Sequence, residues 1–273
     1  MPLPVVNDDS PLCQGPAASC AACCGVFNFA DRSPHALHAR LEQRTARVTA
    51  AGWDLQALTA VARALSLQES PQLLFRAVRT CPLAGFLNEE RTRVGCLIHP
   101  RRHPAGADLR DLGAYGDRTI CAGHLCAPHT WMTAADRALL AAAPGWRAYS
   151  MAVGETGFVK AVLRHVANRR GGEVHADELA NARVRAAAAR VLALFDAWPW
   201  ADPDPRRFGG FSFAGDDAYT REVPSAGRFP FIRPNEATLL DALGSRLEDE
   251  ATARAALDGL VLALRPLVEA LGG

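Results

Sequence analysis

The chain has 273 residues, 49% of them hydrophobic and 22% charged, with a formal net charge of +1. That length accommodates one large domain or two ordinary ones, and no apolar run approaches the roughly 18 residues that a membrane span needs. A charge this balanced gives no clear nucleic-acid signal, and MPLPVVNDDSP at the start has neither the basic n-region nor the apolar h-region of a secretory leader. A cytoplasmic protein with no membrane partner is the expectation.

In chain order, residues 1–12 read as a polar arm. The segment SCAACCGVFNF follows, where small residues around the thiols (Ala21, Ala22, Gly25) let the backbone curl tightly. Ser33 and Pro34 then signal a helix to about residue 50, as cap and first-turn proline. A second helix is expected from Asp54 to about Leu67, with Leu58, Val61, Ala62 and Leu65 on one face. CPLAGFL, NEERTR and VGCLI predict two short strands about a polar turn, with Cys81 starting one strand and Cys96 inside its partner. The Gly-, Pro- and Asp-rich stretch up to Cys126 shows no period, which is unusual in a compact domain unless something pins it.

Beyond Thr130 the pattern is helical. Thr133 can cap one helix, and Phe158, Val159, Val162, Leu163 and Val166 mark another. A long helix is expected from Ala176 to Trp198, with Val184, Val191, Leu192 and Phe195 inward. Residues 199–234 read as irregular, Asn235 as a helix cap, and the tail from Thr252 as a helix that Pro266 kinks or restarts. The fold class is therefore mainly α with a small β-hairpin (α+β). It comprises a cysteine-rich half, residues 1–131, and a helical half, residues 132–273.

All eight cysteines, Cys13, Cys20, Cys23, Cys24, Cys81, Cys96, Cys121 and Cys126, lie in the first half. In a reducing compartment such clustering favours metal binding over structural disulfides, although four disulfides remain the alternative. Thiolates are soft anionic ligands, and four in tetrahedral array suit zinc or the irons of an iron-sulfur cluster. Cys20 and Cys23 have a usual chelating spacing, whereas adjacent side chains such as Cys23 and Cys24 diverge and seldom close on one ion. His99, His103, His124 and His129 can replace a thiol or act behind one, with His124 first among them because it lies between Cys121 and Cys126. Arg79, Arg91, Arg93, Arg101, Arg102 and Arg110 can offset thiolate charge, or can be ordinary surface charge.

Cys20-x-x-Cys23-Cys24, Cys81-Pro-Leu with Gly85-Phe-Leu, Cys96-Leu-Ile-His-Pro and a final cysteine pair together resemble the YkgJ-like cysteine-cluster proteins. These form a bacterial family named for zinc or iron chelation. The resemblance covers residues 13 to about 126 and departs from the family pattern in the long gap from Cys96 to Cys121 and in His99, where tyrosine is common. It implies metal chelation, with iron (alone or in an iron-sulfur cluster) or zinc as the cofactor, and the eight cysteines are the candidate ligands. Some flagellin lysine methylases share the cysteine motif and are linked to an iron-sulfur cluster. The cluster, but not the methylase activity, is part of the expectation.

No nucleotide-binding, hydrolase, metalloprotease or radical-enzyme motif is present. Asp108, Asp111, Asp117, Asp216 and Asp217 read as turn and cap residues before they read as ligands. Three functional readings follow: a metal-binding protein of unassigned chemistry, an iron-dependent redox or group-transfer enzyme with substrate between the halves, and a structural-zinc interaction module.

Overall fold

In the computed structural model, which describes residues 12–13, 19–76, 78–113, 121, 127–204, 206–208, 211–213, 219–221 and 224–272, Ser33 opens the first helix as its sequence predicts. Its hydroxyl accepts from the Ala36 N–H, and Pro34 is the first residue of α1 (Pro34–Ala51). Asp54 caps α2 (Leu55–Glu69) in the same way, by accepting from Ala57 N–H. The chain turns between the two at Gly52, whose φ of 62° lies in the left-handed region that favours glycine.

A two-stranded antiparallel sheet follows, β1 (Ala84–Phe86) and β2 (Val94–Cys96), with Ala84 opposite Cys96 and Phe86 opposite Val94. It lies so close to α1 that a Cβ on Gly85 would fall 2.6 Å from Thr45 Oγ1 and 2.7 Å from Leu97 Cδ1. Thr45 uses the approach, its hydroxyl accepting from the Phe86 N–H at 2.8 Å. Val48, Leu58, Ala62, Leu83, Leu97 and Ile98 form the core between helices and hairpin, with Cys81 and Cys96 packed at its margin. Cys81 is not the first residue of a strand as expected but lies before β1. Its N–H donates to Cys24 O at 2.9 Å instead of joining the hairpin ladder.

The chain divides into two units, Met1–Thr130 and Trp131–Gly273. After α3 (Ala127–Trp131), the second unit contains α4 (Ala134–Leu140), α5 (Trp146–Gly154), α6 (Thr156–Arg170), α7 (Ala182–Leu192) and α8 (Leu194–Ala197). Then come the short strands β3 (Arg207–Phe208), β4 (Phe211–Phe213) and β5 (Tyr219–Arg221), and helices α9 (Ser225–Arg228), α10 (Pro234–Ala242) and α11 (Glu250–Ala270). Thr133 and Asp136 form a reciprocal capping box on α4. Packing of α10 on α6 and of α11 on α7 builds the second core, in which Phe158, Val162, Val191, Leu240, Leu260 and Leu264 are fully buried.

Four expectations for this unit are corrected in whole or in part. The single helix from Ala176 to Trp198 is interrupted because Asn181 Oδ1 accepts from Arg183 N–H at 2.9 Å, which starts a new helix after the 3-10 turn Glu178–Ala180. A short polar side chain that captures backbone N–H groups competes with helix continuation. Residues 199–234, expected to be irregular, contain an antiparallel sheet of order β3-β4-β5. Asn235 does not cap α10: it lies inside the helix and donates from Nδ2 to Ala161 O at 3.0 Å. Pro266 does not restart α11, which runs through it. Among the described residues no helix is long and apolar enough to cross a membrane.

Candidate metal centre

Backbone pairing brings the first cysteine segment onto the stretch that leads into the hairpin. Ala30 N–H donates to Gln72 O, Leu74 N–H to Asn28 O, and Cys81 N–H to Cys24 O. Asn28 locks the pairing. Its Nδ2 donates to Phe75 O at 2.8 Å, Val78 O at 3.2 Å and Thr80 Oγ1 at 3.1 Å, and its Oδ1 accepts from Phe75 N–H at 3.1 Å. At 4% exposure this side chain is buried, so each of those bonds replaces one with water. Gly25, with φ of 72°, makes the close approach possible: a Cβ there would fall 2.4 Å from Arg79 O. Ser19 ties the same segment to β2, its Oγ accepting from Val94 N–H at 2.8 Å.

The result is a neighbourhood of thiols from separate stretches of chain. Cys24 hydrogen-bonds to the Cys23 side chain and interacts electrostatically with Cys23, Cys81 and Cys96. Cys121, helical in backbone, interacts with Cys81 and Cys23. Cys81 Sγ lies beside Gly113, 3.6 Å from where a Cβ would stand. Cys20 is buried and Cys13 half-buried. Cys126 and His124 lie outside the described residues, as do Asp117, Asp216 and Asp217. No disulfide joins the described cysteines.

Three of the thiols resist ionisation. The Cys24 thiol is pushed up by its bond to Cys23 and by burial, and those of Cys96 and Cys121 are pushed up by burial and by the Cys81 charge. Two arginines counter this. Arg110 interacts with Cys96 and Cys121, donates to Cys121 O at 3.1 Å, and is clamped by Asp108 at 2.8 and 2.6 Å. Arg102 interacts with Cys96. Arg91 instead pairs with Glu42. Asp108, a turn residue by sequence, thus also positions a cation against the thiols.

The histidines divide in role. His99 is buried, its Nδ1 accepts from Arg101 N–H at 3.2 Å, and burial beside Arg110 lowers its pKa to about 4, so it is neutral at pH 7. His103 holds a turn by accepting from the Ala105 and Ala107 N–H groups, with its ring edge-on to Trp53.

Zinc or iron needs about four such donors closed around one point. Among the described residues, no three Cys, His, Asp or Glu side chains are set in ligating positions. What the fold supplies is soft donors in one partly buried, arginine-flanked region, which suits a soft or borderline metal in chemistry. Sequence reasoning missed Asn28. The available signal was a polar residue between Phe27 and Phe29, both of which are buried.

No family model matches the chain, and no curated protein or solved structure matches it either.

Proposed function

We propose that this is a metal-binding protein in which thiols of the first unit chelate iron, alone or in an iron-sulfur cluster, or zinc. The observation that carries the reading is the convergence of Cys23 and Cys24, Cys81, Cys96 and Cys121. They come from four stretches of chain and are linked by the Cys81 N–H to Cys24 O bond and by their mutual electrostatic interaction. Buried thiols gain little from packing together as protonated groups. A bound cation displaces their protons and converts the repulsion among thiolates into attraction, so metal binding there contributes to folding. The likeness of the cysteine pattern to the YkgJ-like proteins points the same way. A reducing cytosol fits thiols that are kept for ligation.

Anaerobic purification followed by metal and acid-labile sulfide analysis tests this. Stoichiometric zinc in a colourless protein identifies a zinc site, and iron with sulfide in a brown one identifies a cluster. Cys20→Ser, Cys23→Ser, Cys81→Ser and Cys96→Ser each lower metal content. A protein that binds neither metal on anaerobic reconstitution, or variants that all keep full content, overturns the reading.

A further inference from the structure

In the second unit α10 packs along one stripe of α6, formed by Gly157, Ala161 and His165 at four-residue spacing. A Cβ on Gly157 would fall 3.3 Å from Thr238 Cγ2, and Ala161 O accepts from Asn235 Nδ2 at 3.0 Å. The small residues let the helices close, and one turn later the stripe ends on His165, which is 5% exposed. There the fit is incomplete. His165 Nδ1 lies 3.9 Å from Glu236 Oε1, beyond hydrogen-bond reach. Glu236 Oε2 and Asn235 Oδ1 are buried and have no hydrogen-bond partner among the described residues. Buried acceptors left without donors cost free energy, so this corner of the interface is short of a proton.

Among the described residues, the charges that act on His165 are Arg169 on its own helix and Glu236 across the interface. α4, α5 and α11 also pack on α6. Asp136 of α4 is held by Lys160 and Arg147 of α5 by Asp196, Asp241 of α10 accepts from Ser225 N–H, and the charged residues of α11 are exposed. Neither these nor Arg137 of α4 act on the imidazole. Burial, then Arg169, hold it below its ordinary pKa against the pull of Glu236. The folded unit therefore takes up this proton less readily than the unfolded chain. Stability is intact above the ordinary histidine value of 6.5 and is lost as pH falls from there through the lower folded value.

A proton on His165 places a buried charge near Arg169, with Glu236 as its counter-ion. To form a charged hydrogen bond of about 2.8 Å the two side chains must close by about 1 Å, a movement that works against the Asn235 bond to Ala161 and the contact at Gly157. We propose that proton uptake at His165 unseats α10 from α6, which makes this interface a pH-responsive joint in the second unit. Two readouts on the full-length protein between about pH 5 and pH 8 test it. Exchange of the histidine C2 hydrogen in the peptide carrying His165 reports protonation of that ring, and amide exchange over residues 234–242, corrected for intrinsic rates, reports the seating of α10. His165 titrates below the ordinary histidine range, and protection of residues 234–242 falls severalfold with the same midpoint. Glu236→Gln removes the counter-ion and moves both midpoints to lower pH, which loss of packing alone does not do. His165→Gln abolishes the fall in protection, and if that variant does not fold, the parent and Glu236→Gln decide. Glu155, at the start of α6, cannot produce the loss, because its raised pKa makes falling pH stabilising. The proposal is overturned if His165 titrates in or above the ordinary range, if protection is flat or has a different midpoint, if Glu236→Gln leaves the midpoints in place, or if the fall persists in His165→Gln.

Discussion

The pair Arg44–Glu69 offers the sharpest test of how the first unit is held together. Arg44 lies in α1 and Glu69 ends α2, with side-chain exposures of 0% and 5%. The guanidinium grips both carboxylate oxygens and lies 5.6 Å from the centre of the buried Phe29 ring, next to the cysteine segment. Removing one partner leaves a buried charge without its counter-ion, which costs about 3–5 kcal/mol. For a unit of this size, about 4 °C of melting temperature corresponds to 1 kcal/mol, so Arg44→Met or Glu69→Met alone should lower melting by roughly 12–20 °C. The double variant replaces the ion pair by two apolar side chains of similar reach, and such exchanges are often close to neutral. It should therefore be more stable than either single variant. Hydrogen exchange read by mass spectrometry over residues 34–69, together with thermal unfolding, measures the effect where it arises. Single variants within about 1 kcal/mol of the parent, or a double variant with additive losses, would refute the reasoning.

Other expectations follow from the same geometry. Asn28→Ala removes its bonds to Phe75 N–H and to the Phe75 and Val78 carbonyls, and should cost about 2–4 kcal/mol by denaturant unfolding while lowering metal content. Gly25→Ala forces a Cβ against Arg79 O at 2.4 Å. It should separate Cys24 from Cys81 and cut metal retention at least as much as loss of one thiol, measured by elemental analysis. In the second unit, burial raises the Glu155 carboxyl to about 7. The folded state therefore holds that proton more tightly than the unfolded one, a contribution that is complete below the ordinary glutamate range near pH 4.5 and lost as pH rises through about 7. Glu155→Gln should leave stability at pH 4.5 little changed and improve it at pH 8 by up to about 3 kcal/mol. Equal effects at both pH values in urea unfolding would contradict this.

The helices of both units were largely legible because their signals are local. Ser33 with Pro34, Asp54, and Thr133 with Asp136 act within one turn of the chain, and apolar spacing identified the faces carrying Leu58 and Phe158. The hairpin was legible for the same reason, with a polar turn between two short apolar runs. The break at Asn181 was local too. It was missed because an alanine-rich background gives no sign that one side chain oxygen will capture the next N–H groups.

The grouping of the thiols was different in kind. The chain by itself determined that eight cysteines crowd into one half, with spacings that suit chelation. Which of them meet depends on Asn28 pairing with residues 75–80, on Gly25 giving way to Arg79, and on Asp108 aiming Arg110 at Cys121. The two pairing contacts join residues about fifty positions apart, where sequence periodicity carries no information. Only the folded chain decides whether buried donors and acceptors find each other, because the cost of leaving them unpaired arises only once water is excluded.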